Sequence, residues 1–194
     1  MLRFSKIILI AIFFCQCIFI SCKPKSQSPG NAEVSVIDPN DAVLNKFKHF
    51  FGDSLPAPKN YVNDYAYLFT PEQADSLNAI INRFEKRTTG QIAVISFDTA
   101  MVSKEDFDAL TFKLANAWCV GQKDKNNGIL IGICAGYRKM RIQNGKGIEK
   151  ILSDLATKQI IDSNFIPFFK QGEYFKGTLN GINTIIQKLD QLRQ

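Results

Sequence analysis

Three short polar segments carry the side chains best suited to chemistry: Asn63-Asp64, the loop from Gly121 to Gly128 with Asp124, Asn126 and Asn127, and the run from Asn144 to Asp154 with Glu149 inside it. Carboxylate and amide oxygens are hard ligands suited to Ca²⁺ or Mg²⁺, and an ion held by them leaves an open side on which phosphate oxygens can bind. A plainer reading stands beside this one. Asn-Gly is a turn signal, and Ser153 and Asp154 suit the start of a helix. An EF-hand reading from Asp124 fails, because its twelfth position is Ala135 and not a bidentate glutamate.

Absences narrow the chemistry further. The single histidine, His49, lies ahead of the segments that carry a folding pattern. A Ser-His or Cys-His nucleophile, a histidine zinc site and a histidine phosphatase all need an imidazole that the domain lacks. Gly145-Lys146-Gly147 is too short for a dinucleotide fingerprint and no Walker-type loop is present, which argues against nucleotide binding.

The elements that must position these segments follow from periodicity. The domain is expected over 58–194. Thr70-Pro71-Glu72-Gln73 reads as a helix start with a capping box, and Leu77, Ile80, Ile81 and Phe84 form one buried stripe that Gly90 ends. Gln91 to Phe97 is apolar on both faces, as an interior strand would be. Ser103 is expected to open a second helix with Phe107, Leu110, Leu114 and Trp118 on one face, and Gly128 to Gly136 is a second apolar strand. Strand, helix and strand in that order predict a right-handed crossover with the two strands parallel. A turn at Gly136-Tyr137 folds Lys139 to Gln143 back as a third strand, with Met140 and Ile142 on one face. Ser153 caps a helix through Ile161, a break is expected around Pro167 and Gly172, and Phe175, Leu179, Ile182, Ile186 and Leu189 share a stripe of the closing helix. The expected architecture is α/β, a three-layer αβα sandwich around a small mixed sheet.

The N-terminus reads as targeting and not as fold. Arg3 and Lys6 precede an apolar run from Ile7 to Ile20 that falls short of the roughly 20 residues a bilayer core needs. Ile18-Phe19-Ile20-Ser21-Cys22 is similar to a lipobox, with Phe19 where leucine is usual. Residues 1–21 are therefore expected to be a lipoprotein signal, Cys22 the lipidated first residue of the mature chain, and 22–57 a tether with a short helix over 41–51. The expected location is the cell envelope, facing the periplasm or the exterior. Cys119 and Cys134 sit in apolar runs and read as small core residues. The formal charge of +6 falls to +4 once Arg3 and Lys6 leave, and no base-stacking motif accompanies it, so no nucleic acid is expected.

Tyr61-Val62-Asn63-Asp64-Tyr65-Ala66, Thr89-Gly90-Gln91-Ile92, Trp118 with Val120 to Lys123, Asn127 to Leu130, Arg138 to Ile142, Gly145 to Glu149 and Leu152-Ser153-Asp154 occur in an order that resembles the TPM-domain family, as do Ile166-Pro167, Phe169, Gly172 and Tyr174. The resemblance implies an αβα sandwich, found in exported or membrane-tethered proteins. Some of these are described as acid phosphatases, some as binding calcium, and others as assisting assembly or repair of membrane complexes. Carried over by position, it implies that Asp64, Asn126, Asn127 and Asp154 line a site with Glu149 and Arg141 close by. Asn126 stands where the family often has aspartate, and Lys150 where it has glycine, and both changes weaken attraction for a divalent cation. Two functions follow from this: a binding or assembly module for a membrane protein complex, or a metal-assisted acid phosphatase. In the second, Arg141 would neutralise charge on phosphate and Asp64 or Asp154 would position a water.

Overall fold

Along residues 91–97 the side chains part to two sides, Ile92 and Val94 into one apolar cluster and Ala93, Ile95 and Phe97 into another. That division makes this the central layer. The computed structural model describes residues 55–191 together with Val43, Phe47, Phe50 and Phe51. The expected signal, Cys22 and most of the expected tether lie outside the described residues. Among the described residues no helix is long and apolar enough to cross a membrane.

The elements run β1 (Val62–Asp64), α1 (Pro71–Thr88), β2 (Gln91–Ser96), α2 (Phe107–Ala117), β3 (Gly128–Cys134), β4 (Lys139–Asn144), α3 (Lys146–Glu149), α4 (Asp154–Ile160), α5 (Ile166–Phe169) and α6 (Tyr174–Gln191). The sheet order is β1-β2-β3-β4. β1, β2 and β3 are mutually parallel and β4 is antiparallel to β3. On one face Leu77, Ile81 and Phe84 of α1 pack with Ile182, Ile185 and Leu189 of α6 against Val62, Val94, Ile129, Ile131 and Ile142. On the other, Phe107, Leu110 and Leu114 of α2 cover Ala93, Ile95, Leu130 and Cys134. This is the αβα sandwich with a mixed sheet.

The three parallel strands follow one another in a single direction across the sheet, yet α1 and α2 lie on opposite faces. The two crossovers therefore have opposite hands. One of them departs from the right-handed rule that governs nearly all such connections.

Several local expectations are met by local chemistry. Thr70 accepts from the Gln73 N–H while Gln73 returns a bond to the Thr70 N–H, closing the capping box. Ser153 caps α4 through the Ala156 N–H. Others shift. Ser103 does not open α2: its Oγ bonds Asp106 Oδ2 at 2.5 Å and accepts from the Asp106 N–H at 3.0 Å, holding a turn, and the helix starts at Phe107. α1 ends on Thr89 in the left-handed region, φ 64°, one residue ahead of Gly90. Cys119 is exposed and not a core residue, because Trp118 takes the inward position and the chain turns at Cys119 with φ 48°. Cys134 is buried.

Pro167 does not break the chain as expected. Ahead of it the helix widens into a π turn over Ile161–Phe165, in which the Ile166 N–H reaches back to the Ile161 carbonyl, and helical geometry continues through Phe169. A wider turn is one way to take in a residue that has no N–H to donate. The break comes at 170–173, where Gly172 has φ 77°.

Residues ahead of 58 also belong to the core. Phe47 and Leu55 are buried with α2 and β2, the Phe47 ring lies 4.5 Å from Phe51 and 6.1 Å from Phe97, and the Trp118 indole donates to the Pro56 carbonyl at 2.7 Å.

Candidate functional site: two rims of one sheet

The carboxyl ends of parallel strands form the rim where open α/β sheets usually place ligands. Asp64 ends β1 there, directly opposite Ser96 at the end of β2. Its two oxygens are taken up by its own surroundings. Oδ1 accepts from the Leu68 N–H at 3.0 Å and from the Ser96 hydroxyl, and Oδ2 accepts from the Phe69 N–H at 2.8 Å. Ser96, fully buried, in turn accepts from the Ala66 N–H at 2.9 Å. Asp64 and Ser96 together brace the 65–69 loop, which carries Tyr67 with φ 53° and 91% exposed. Asn63 is also turned to the backbone, bonding the Lys59 N–H and the Asn60 carbonyl. Beside this rim is a cleft of about 410 Å³ lined by Phe50, Phe51, Lys59, Tyr65, Tyr67 and Met101 among others. Tyr65 stacks edge-on against Phe51 at 4.9 Å, and its hydroxyl is buried with no partner among the described residues, so desolvation pushes this phenol up.

The opposite rim, at the amino ends of β2 and β3, holds the other segments. Asn127 is buried and its amide is used on both sides: Oδ1 accepts from the Gln122 N–H at 2.8 Å and Nδ2 donates to the Thr89 carbonyl at 2.9 Å. Gly121 and Gly128 let the two arms of the loop cross. A Cβ on Gly128 would lie 1.9 Å from the Val120 carbonyl oxygen, and Gly121 has φ 102°. Asn126, exposed with φ 47°, occupies a left-handed position that asparagine tolerates better than most residues, and its carbonyl accepts from the Gly147 N–H at 3.0 Å. Glu149 at the end of α3 and Asp154 at the start of α4 are exposed on the same side of the sheet as that contact.

The expected single pocket therefore divides. Asp64 is on the carboxyl rim, and Asn126, Asn127, Glu149 and Asp154 are on the amino rim, separated by the length of β2, roughly 16 Å at ~3.3 Å per residue. The reason is topological: Asp64 follows a parallel strand, the 121–128 loop precedes one, and 145–154 follows the antiparallel β4. Arg141 belongs to neither rim. It is exposed at mid-strand in β4, opposite Gly132, at the far edge of the sheet from β1 and roughly 14 Å across three strand spacings. Among the described residues no three His, Cys, Asp or Glu side chains come together as a metal site. Asp64, with its oxygens already receiving N–H and O–H donors, does not fit a cage shared with Asn127 and Asp154.

Sequence reasoning passed over the network that holds the amino rim. Tyr61 donates to Glu85 Oε2 at 2.5 Å and accepts from Asn82 at 3.0 Å, while Gln91 donates to Glu85 Oε1 at 2.7 Å and accepts from the Gly121 N–H at 2.6 Å. Burial, and then the bond to Glu85, pushes the Tyr61 phenol up to about 12. The available signal was a polar Gln91 at the start of an otherwise apolar strand.

A family model described as the TPM domain matches residues 62–188. The chain belongs to the TPM-domain family. Solved TPM-like structures share the fold. The N-terminal domain of a P. gingivalis protein is 29% identical with a TM-score of 0.61, and the match covers 68% of this chain and 82% of that one. The BA42 protein of Bizionia argentinensis is 23% identical with a TM-score of 0.57, covering 66% of this chain and 85% of that one. No curated protein matches. The matched span runs from β1 to near the end of α6, so the TPM domain holds both rims, while Phe47 and Leu55 pack onto it from outside that span.

Proposed function

We propose that this TPM-domain protein is a membrane-tethered, extracytoplasmic lipoprotein that serves as a binding or assembly module for a membrane protein complex. The anchor is Cys22, in the lipobox-like setting described above. The observation that supports a binding role over turnover is the use of Asp64: its oxygens receive two backbone N–H groups and the Ser96 hydroxyl, on the rim opposite Asp154. Phosphoester hydrolysis through the expected residues would need Arg141 beside Asp64 or Asp154 at one phosphorus, and Asp64 ends β1 while Arg141 lies on β4 at the other edge of the sheet. Any bound Ca²⁺ or Mg²⁺ is assigned to Asn126, Glu149 and Asp154, which share a rim.

The test uses purified Cys22→Ser chain with a generic phosphomonoester, with and without Ca²⁺ or Mg²⁺. No turnover above buffer is expected. Metal-dependent turnover lost in Asp64→Ala would overturn the module reading. Asp64→Ala is instead expected to lower stability in urea by about 2 kcal/mol, because it strips an acceptor from two backbone donors and a hydroxyl. A calcium titration followed by NMR is expected to shift Asn126, Glu149 and Asp154 and leave Asp64 in place. For the anchor, Cys22→Ser moves the protein from the membrane fraction to the soluble one, and continued retention contradicts lipidation.

A further inference from the structure

We infer that the aromatic cleft at the carboxyl rim rests on the bilayer that holds the lipid of Cys22, with Tyr67 and Phe50 at headgroup depth. The inference depends on the anchoring proposed above and adds an orientation to it: carboxyl rim toward the membrane, amino rim away from it.

Four large hydrophobic side chains are exposed among the described residues, and two of them, Tyr67 at 91% and Phe50 at 45%, line this one cleft. The Tyr67 loop is braced from beneath by Asp64 and Ser96, so the ring is displayed on a fixed support. Tyrosine with an apolar body and a polar tip is the side chain that settles at a membrane interface, and phenylalanine and methionine extend that surface inward. Lys59, also on the cleft, supplies a cation for lipid phosphates.

The path of the chain selects the bilayer over other occupants. The tether meets the described fold at Phe47, Phe50 and Phe51, on the edge of this cleft. The chain from Cys22 to Phe47 spans at most roughly 88 Å at ~3.5 Å per residue, and because it joins the fold at the cleft's edge, the cleft is within reach of the anchored bilayer. Tethering of this kind corresponds to effective concentrations on the order of millimolar, at which a shallow contact of few side chains is populated without high intrinsic affinity.

The experiment uses the lipidated chain in phosphatidylethanolamine–phosphatidylglycerol vesicles whose acyl chains carry bromine, a contact quencher of indole fluorescence. Tyr67→Trp is compared with Lys123→Trp on the opposite rim, each after subtraction of the native chain, whose Trp118 is buried. Tyr67→Trp is expected to be quenched roughly twofold or more relative to Lys123→Trp, as a side chain at interface depth would be. Equal quenching at the two positions overturns the inference. If the emission of Tyr67→Trp in the lipid-free Cys22→Ser chain shifts with protein concentration, the cleft belongs to a second copy and the inference is likewise overturned. Native chain that fails to sediment with vesicles at all defeats the anchor at Cys22, and this orientation falls with it.

Discussion

Tyr61 shows how a single side chain ties pH to stability in this fold. Its phenol is held neutral between Glu85 and Asn82, with a folded value of about 12 against an ordinary 10. The unfolded chain gives up this proton near pH 10 while the native one keeps it to about 12. The stabilisation is therefore complete below pH 10 and is lost as pH rises through that window. Urea denaturation is expected to show the stability advantage of the native chain over Tyr61→Phe shrinking by up to ~2–3 kcal/mol between pH 9.5 and 12. A constant difference across that range would refute the assignment. The sequence did mark the right neighbourhood. Asp64 and Asn127 stood out as polar residues at element ends, and both prove to be special positions. What sequence could not show is that they turn inward, since the partners that occupy them, Ser96 and Thr89, are 32 and 38 residues away along the chain.

At the scale of elements, legibility follows the range of the forces. The start of α1 could be read because Thr70, Pro71 and Gln73 complete their bonds within one turn. The π turn before Pro167 could not, because its surroundings lie in a distant helix: a Cβ on Gly181 would lie 2.0 Å from the Phe165 ring, and one on Gly177 would lie 2.7 Å from the Phe169 ring. Those glycines admit the two aromatic side chains beside the π turn. In Gly181→Ala, helix propensity favours alanine by about 1 kcal/mol, and overpacking against Phe165 opposes it by roughly 1–3 kcal/mol. A net loss of up to about 2 kcal/mol is expected, and Phe165→Leu should relieve it, so that the double-mutant cycle shows coupling. Additive effects of the two changes would mean that the contact carries no strain.

At the scale of the molecule, the three layers and the pairing of β2, β3 and β4 were readable from which residues alternate, whereas β1, only Val62–Asp64, was not, because three residues are too few to show a period of two. The placement of the rims was not, because it depends on the direction in which each strand runs. The packing of residues ahead of the matched domain onto it was also not legible. The segment ahead of 58 reads as a tether, yet Phe47 is fully enclosed. Phe47→Ala is expected to cost about 3–5 kcal/mol, and a chain beginning at residue 58 should lose at least as much, both read from urea midpoints. Equal stability of chains beginning at 41 and at 58 would show that this packing adds nothing.

The burial of Phe47 also decides how the protein answers a pull. Under the anchoring proposed above, force transmitted along the polypeptide meets the packing of Val43, Phe47 and Leu55 before it reaches the hydrogen-bonded ladder of β1. Under load the aromatic plug is positioned to come out ahead of the sheet, releasing slack as it does so. In that event the distance from the fold to the proposed anchor would grow in a step, while the strands themselves stay registered.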